Sequence, residues 1–182
     1  SYDEDKSSRE EWLKTFSDGL DLLGIKAEER DTPFPGASGV THPILSEAAT
    51  QFQAQAYKEL LPPGGPVKTR VVGAENQETM DQCKRVKEFM NYQITEIMQE
   101  YDPDMDSLLF YLPLAGSAFK KVYFDSLLNR ATASFVKAED LVVSYDTTNL
   151  ETSPRITHVL NMTGNDVRKM QLSGVYRDIS IG

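Results

Sequence analysis

The chain has few residues whose types could perform nucleophilic or acid–base chemistry near neutral pH, and their spacing does not group them. Cys83 is the single cysteine, which excludes an internal disulfide and a multi-cysteine metal site. A thiol nucleophile needs a base nearby, and no histidine adjoins Cys83 in sequence, so we interpret it as an ordinary helical residue. His42 at a helix start and His158 in a strand lack neighbouring metal ligands and are interpreted as structural. We expect no catalytic residue, no cofactor and no metal site.

Three alternating carboxylates, Asp102, Asp104 and Asp106, have the spacing of the first ligands in a calcium-binding loop. Pro103 interrupts the series, and no glycine or twelfth-position glutamate follows in register. Acidic residues at a helix start are favoured by the positive end of the helix dipole. We therefore interpret the three aspartates as the first turn of a helix.

The segment 64–69 has two glycines followed by Lys-Thr, which resembles a phosphate-binding loop only superficially. Pro66 removes a backbone donor, and Val67 stands where such a loop needs glycine before the lysine. The residues that follow favour a strand rather than a helix. We expect no phosphate site there.

One small basic cluster is formed by Lys120, Lys121 and Arg130 beside aromatic residues. Such a cluster is typical of a phosphate-backbone contact, and equally of a hairpin edge protected by lysines. The net charge of −9 has the wrong sign for a domain whose whole surface binds nucleic acid. With 40% hydrophobic and 26% charged residues the composition is globular, and no apolar run reaches the roughly 18 residues of a membrane-spanning helix.

Helical periodicity predicts the elements that would position these residues in the first half of the chain. Residues 1–7 are expected to be a loose lead-in, and Ser8 to cap a first helix that ends at Gly24. A second helix is expected from a cap at Thr41 to about Leu61. Four apolar residues are predicted to lie on one face of it: Ile44, Ala48, Phe52 and Ala56.

The middle of the chain is expected to hold a short strand at 67–72 and two more helices. The third and longest helix is predicted from Asn76 to a stop at Asp102-Pro103. The fourth, Met105 to Phe119, is predicted to be buried and to kink or fray near Pro113. The predicted apolar face of the third helix consists of Val86, Phe89, Met90, Ile94, Ile97 and Met98.

The last third changes to the period of strands. We predict a hairpin of 121–124 with 131–136, strands at 141–145, 156–162 and 176–181, and a short helix between Thr163 and Gly174. The fold class is therefore α+β, with several N-terminal helices, one of them long, followed by a small antiparallel sheet with a short helix. We interpret 1–182 as one unit with a helical part (1–61), a strand with long helices (62–119) and a mainly β part (120–182). The chain starts at Ser1 without a signal-peptide pattern, which we interpret as a piece of a larger protein.

A loop of Pro33, Phe34, Pro35 and Gly36 cannot be regular structure, because proline fixes φ and glycine removes steric restraint. Its central aromatic residue suits a surface that packs against another subunit. We predict it as a possible subunit-packing loop rather than a ligand site.

Several long stretches, taken in order, resemble the N-terminal part of portal proteins of tailed bacteriophages, of the kind found in short-tailed phages and prophages. The resemblance extends from about Trp12 to Asp178. The stretches that carry it are 33–38, 42–48, 51–56, 58–60, 64–69, 85–93, 112–123 and 138–143. None of them has the pattern of a catalytic motif.

Membership of that family implies a structural subunit, not an enzyme, in a ring at one vertex of the capsid. Its N-terminal region would belong to the outer wing, and its partners would be other portal subunits, usually twelve in a ring, with the capsid, the terminase and tail adaptor proteins reached through the full-length protein. The genome would pass through the ring during packaging and ejection without sequence-specific binding. The implied location is the virion, and the host cytoplasm during assembly, with no membrane partner. The family's terminase and channel contacts are expected outside these 182 residues.

The residues alone leave two other classes of function open. One is a free-standing intracellular enzyme that uses Cys83 or the aspartates at 102–106. The other is an adaptor domain that binds a partner through the loop at 33–36. An enzyme would lose turnover on Cys83→Ala or Asp104→Ala with its fold intact, whereas a ring subunit has no turnover to lose.

Overall fold

A computed structural model describes residues 1–23, 34–37, 39 and 42–179. These residues form an α+β fold, as predicted, with helices first and two small antiparallel sheets after them. None of the helices in the described ranges has both the length and the apolar character to cross a membrane. The elements are α1 Tyr2–Ser8, α2 Glu10–Asp21, α3 Ile44–Leu60, α4 Gln77–Tyr92, a π-helical turn Gln93–Ile97, α5 Tyr101–Ala115, β1 Ala118–Asp125, β2 Arg130–Lys137, β3 Leu141–Val142, β4 Thr157–His158 and α6 Gly164–Leu172.

The N-terminus is a helix, so the expected lead-in at 1–7 is wrong. Ser1 caps α1. Its hydroxyl accepts from the backbone N–H of Glu4, and the carboxylate of Glu4 accepts from the N-terminal amine, so both nitrogen groups have a local hydrogen-bond partner. Ser8 does not cap the next helix. Its hydroxyl donates to the carbonyl of Asp5 at 2.8 Å and accepts from the backbone N–H of Tyr145 at 3.2 Å.

The start of α4 is as predicted, because Asn76 accepts from the N–H of Thr79 at 2.8 Å in a local capping pair. Residues 67–72, all of them described, form no strand. The backbone of Val67 instead bonds at both its N–H and its carbonyl to the side chain of Asn91. A side chain of α4 therefore takes the place of a partner strand.

The third and fourth helices divide at a different point from the one predicted. The α-helical hydrogen bonding of α4 ends at Tyr92 and continues as the π-helical turn, so α3, with 17 residues, is the longest helix described. The next helix begins at Tyr101, two residues before Pro103. Proline is tolerated at this position because the first turn of a helix needs no intrahelical N–H bond. Pro113 lies inside α5, and the next residue after this helix, Gly116, caps its C-terminus in the left-handed conformation (φ 77°).

The hairpin is as predicted, with β1 and β2 antiparallel and Val122 opposite Ala133. The carboxylate of Asp125 accepts from the N–H of Leu127 at 2.8 Å and so stabilises the turn. The strands expected at 141–145 and 156–162 are reduced to the two-residue pair β3 and β4. Residues 176–179 form no strand, and the rest of that predicted strand lies outside the described residues.

One side of α5 faces α3. The side chain of Gln53 donates to the carboxylate of Asp106 at 2.7 Å, and the hydroxyl of Tyr57 donates to Asp102. The hydrogen bond to this carboxylate raises the pKa of the Tyr57 phenol, because it favours the protonated form. Residues four apart share a helix face, so these contacts define a single side of α5.

The opposite side of α5 faces the hairpin. Asp104 accepts from the backbone N–H of Phe135 at 2.6 Å, and Tyr111 accepts from that of Ala138 at 3.1 Å. At about 100° per residue, positions 104 and 111 point roughly half a turn away from 102 and 106. α5 is thus the middle layer, with α3 on one side and the hairpin on the other.

The core is a chain of aromatic rings that joins α2, α5 and β2. Trp12 stacks on Phe16 at 5.7 Å between centroids, Phe16 meets Tyr111 edge-on at 5.5 Å, and Tyr111 meets Phe135 at 5.4 Å. The indole N–H of Trp12 donates to the carbonyl of Ala115 at 3.2 Å. Edge-on and offset pairs of this kind stabilise beyond their buried area.

Arg9 joins the start of α2 to the segment after β2 through side-chain hydrogen bonds. Its buried guanidinium donates to the carbonyls of Ala138 at 2.7 Å and Leu141 at 2.9 Å, and also to that of Glu139. Burial lowers the pKa of this guanidinium because it penalises the charged form. Three carbonyls of one turn are therefore satisfied by one planar donor.

Candidate functional site

An apolar groove lies between α4, the π-helical turn and the hairpin. Its volume is about 680 Å³. Phe89 and Phe124 face solvent on its walls with 62% and 64% of their surface exposed. We define the apolar groove by Phe89, Met90, Ile97, Met98, Val122 and Phe124.

Strand register brings one wall of the groove together. Val122 lies opposite Ala133, and Phe124 lies opposite Ala131, so the four side chains share one face of the hairpin. The other wall comes from α4 and the turn that follows it. The periodicity of the sequence predicts that Phe89 and Met90 share an apolar face of the third helix. In the structure no residue of α4 is buried, so nothing in the described part of the chain covers this face.

The charged residue that lines the groove is already engaged. Arg130 donates to the carboxylate of Glu100 at 2.8 Å, and both side chains are about three-quarters buried. The guanidinium lowers the pKa of the Glu100 carboxyl, and the carboxylate raises the pKa of Arg130, because each favours the charged form of the other. A small-molecule site needs convergent polar groups that bind and orient the ligand. The polar groups of Arg130 and Glu100 are bonded to each other and are therefore not available to a ligand.

The basic cluster does not act as one patch. The ammonium of Lys120 lies 3.9 Å from the ring centroid of Tyr101, and burial lowers its pKa. Arg130 is bound to Glu100, and Lys121 lies exposed over the ring of Tyr123 at 5.0 Å. Each of the three cations therefore contacts a different group of the hairpin or its neighbours, and they do not converge on one phosphate-binding site.

The candidate chemical residues lie on separate elements of the fold. Cys83 is half-buried in α4, where its carbonyl accepts from the hydroxyl of Thr69 at 3.0 Å. His42 is exposed before α3, and His158 is half-buried in β4 opposite Leu141. Within the described ranges, no three His, Cys, Asp or Glu residues are grouped so that they could hold a metal ion.

The three aspartates at 102–106 each meet a different partner. Asp102 accepts from Tyr57, Asp104 from the N–H of Phe135, and Asp106 from Gln53. Asp102 and Asp104 lie in the first turn of α5, as the interpretation as a helix start requires. Their main role is to hold α3 and the hairpin against that helix.

The predicted packing loop is described in part. Pro33 lies outside the described residues. Phe34 is 61% exposed, Pro35 is exposed, and Gly36 has φ 81° in a turn closed by the N–H of Ala37 and the carbonyl of Phe34 at 3.1 Å. Whether another subunit covers this loop stays a prediction.

Sequence reasoning missed a second exposed apolar surface, on α3. Ile44, Ala48, Phe52 and Ala56 are predicted to lie on one face of this helix. The first three are exposed and Ala56 is half-buried, while Ala49 is buried. We call Ile44, Ala48 and Phe52 the apolar ridge. The signal was present in the i, i+4 spacing, which marks an apolar stripe without saying which chain covers it.

Comparisons with known proteins supply no relative: no protein-family model matches the chain, and no curated protein matches it.

Proposed function

We propose that the chain is a structural subunit of the portal ring of a tailed bacteriophage, a conduit for genome packaging and ejection, and that it contributes to the wing of that ring. The proposal begins from the order of stretches between Trp12 and Asp178 that resemble such proteins. In this role it binds neighbouring copies, and the complete subunit meets the capsid, the terminase and the tail adaptors. Its place is the capsid vertex of the virion.

The observation that carries the proposal is the exposure of large apolar side chains. Among the described residues, Ile44, Phe89 and Phe124 have 69%, 62% and 64% of their surface exposed. They belong to the ridge and to the groove. Exposed apolar side chains grouped in this way are typical of chains that other subunits cover.

Charge supports the same role. The net charge of −9 disfavours tight binding to phosphate, because affinity for nucleic acid depends on neutralising cations that release counterions. A conduit must let DNA slide rather than hold it. An acidic subunit suits this requirement.

The test is electron microscopy of the product of the complete reading frame that contains this sequence. Negative-stain images should show rings of about a dozen subunits with a central hole. Images of compact single particles without a hole, from protein whose circular dichroism shows a folded α+β chain, would overturn the proposal.

A further inference from the structure

We infer that the outer edge of β1 binds an extended segment of a partner chain, which adds to the hairpin as a third strand. The segment carries apolar side chains towards the apolar groove and an acidic side chain beside Lys121. The inference goes beyond the proposed function and does not depend on it. It rests on the direction of the backbone hydrogen bonds of the hairpin.

The outer edge of β2 is closed by side chains from the start of α5. The backbone N–H of Ala133 donates to the carboxylate of Glu100 at 3.4 Å, and that of Phe135 donates to Asp104 at 2.6 Å. Both N–H groups therefore point away from β1. The two carboxylates take the place of the carbonyl groups that a neighbouring strand would supply.

The outer edge of β1 is open. In an antiparallel pair, two opposite residues either bond each other or both point outward. Val122 lies opposite Ala133 and Lys120 lies opposite Phe135, so the backbone groups of Val122 and Lys120 point outward, as do those of Phe124 two residues on. Within the described part of the chain these N–H and carbonyl groups have no hydrogen-bond partner. Every second residue of β1 thus offers a donor and an acceptor to another strand.

This edge lacks the features that protect natural edge strands. Residues 122–124 are Val-Tyr-Phe, which favour strands, and they include no proline and no charge. Val122 is 69% exposed. The ammonium of Lys120 does not guard these residues, because it lies on the ring of Tyr101. A long, apolar, exposed edge of this kind is a template for pairing with another chain.

The apolar groove determines one set of side chains in the added strand. Val122 and Phe124 both line the groove. Side chains that lie opposite each other on neighbouring strands share a face of the sheet. Every second residue of an added strand would therefore lie beside Val122 and Phe124 at the groove. Because Arg130 and Glu100 are bonded to each other there, the matching side chains are apolar.

The opposite face of β1 determines the other set. Lys121 is exposed on that face and lines a second cavity of about 400 Å³ with Tyr123, Leu160 and Asn161. Opposite charges on neighbouring strands stabilise a sheet. A glutamate suits this place, because its aliphatic stem packs on Leu160 while its carboxylate meets the ammonium. In strand addition, backbone bonds supply affinity and the pockets for alternate side chains supply specificity.

Fluorescence anisotropy tests the inference with the 182-residue chain and a labelled peptide of nine residues. The peptide has valine at its even positions, glutamate at its centre and threonine at the other odd positions. Two further peptides carry N-methyl groups, one on the valine amides and one on the remaining amides. Successive amides of a strand face opposite edges, so only one of the two methylated peptides is blocked from pairing with β1. That peptide should bind at least about tenfold more weakly, and the other should match the unmodified peptide within about twofold.

Val122→Pro tests the edge from the side of the protein. It removes an outward N–H and leaves the bonds between β1 and β2 in place, which is where proline is tolerated in a sheet. Binding should weaken at least about tenfold, whereas Val122→Thr, which keeps the amide, should bind within about threefold of the wild type. Circular dichroism checks folding. If Val122→Pro does not fold, Lys121→Glu should weaken binding by about twofold or more, and a peptide with lysine at its centre should restore it.

The outcomes distinguish the occupants of the edge. Absence of saturable binding by the unmodified peptide would overturn the inference. Equal affinity of both methylated peptides would also overturn it, because the groove would then bind apolar side chains without backbone pairing. Self-association of the chain that Val122→Pro abolishes, without peptide binding, would make a second copy the occupant and overturn it as well. Rings of the complete gene product are expected under each of these outcomes, so a failure of this inference is distinct from a failure of the portal role.

Discussion

The hydroxyl of Tyr111 in α5 accepts a hydrogen bond from the backbone N–H of Ala138 at 3.1 Å, within the aromatic core. Burial raises the pKa of this phenol, because it penalises the charged form. The bond fixes the end of the hairpin to the middle layer of the fold. It also places Ala138 where the guanidinium of Arg9 meets its carbonyl.

Tyr111→Phe should leave the ring packing intact and orphan the buried N–H of Ala138. An unsatisfied buried donor costs about 1–3 kcal/mol, so the free energy of unfolding should fall by that amount. Urea unfolding measures it. Tyr176→Phe, at an exposed residue, serves as the control and should change stability by less than about 0.5 kcal/mol. Equal stability of both variants would contradict the role given to this hydroxyl.

Arg9→Lys should destabilise the chain although it preserves the charge. An ammonium lacks the planar fork that reaches three carbonyls at once, so at least one of those of Ala138, Glu139 and Leu141 loses its donor. We expect a loss of about 1–3 kcal/mol in unfolding experiments. Arg70→Lys, at an exposed position, is the matched control. A loss no greater than that of the control would show that Arg9 acts only as a charge.

Because of the ion pair between Glu100 and Arg130, the free energy of unfolding should depend on pH in the acidic range. Arg130 holds the pKa of Glu100 below its usual 4.5, so the folded state favours the ionised carboxyl. The stabilisation is complete above pH 4.5 and is lost as the pH falls through the folded pKa.

Unfolding of the wild type and of Glu100→Gln over a pH series measures this effect. The difference in stability between them should be largest near neutral pH and shrink in acid. Glu75→Gln, at an exposed position, should show no such trend. A constant difference at every pH would exclude the ion pair as its source.

Gly65→Ala should loosen the segment before α4. Gly65 has φ 87°, and an added Cβ would collide with the side chain of Asn91. That side chain cannot move freely, because it holds both backbone groups of Val67. The left-handed conformation alone costs roughly 1–2 kcal/mol for a residue with a Cβ. Gly64→Ala, with open space and no positive φ, should show no loss in thermal unfolding, and equal melting of the two variants would contradict this account.

Phe34→Ala separates folding from assembly. The ring of Phe34 is 61% exposed, so the stability of the single chain should change by less than about 0.5 kcal/mol. If the loop packs against a neighbouring subunit, association measured by sedimentation should weaken. Unchanged melting together with unchanged association would remove the loop from the interface.

The parts of the fold that were predictable depend on contacts close in sequence. Asn76 and Thr163 cap helices through residues three positions away, and Asp125 closes the hairpin turn two residues on. The contacts of Arg9 with Ala138 were not predictable, because 129 positions separate the two and no local pattern marks the pairing. The α1 helix was missed because its short sequence lacks an apolar period, although its cap at Ser1 is a contact close in sequence.

The candidate site illustrates a different limit of sequence reasoning. The periodicity of Phe89 and Met90, and that of Ile44 and Phe52, correctly identified apolar stripes on two helices. The spacing of apolar residues shows that one face of a helix is apolar. The same spacing is found in helices that pack in a core and in helices that pack against another chain. The burial of Ala49 and the exposure of Ile44 on the same helix distinguish the two uses.

The central claim is that this chain belongs to a closed assembly of copies, and the mass of the complete gene product in solution tests it most directly. Native mass spectrometry should give a single species of about twelve subunit masses, in keeping with cyclic symmetry. A folded monomer that persists at high protein concentration would contradict the claim.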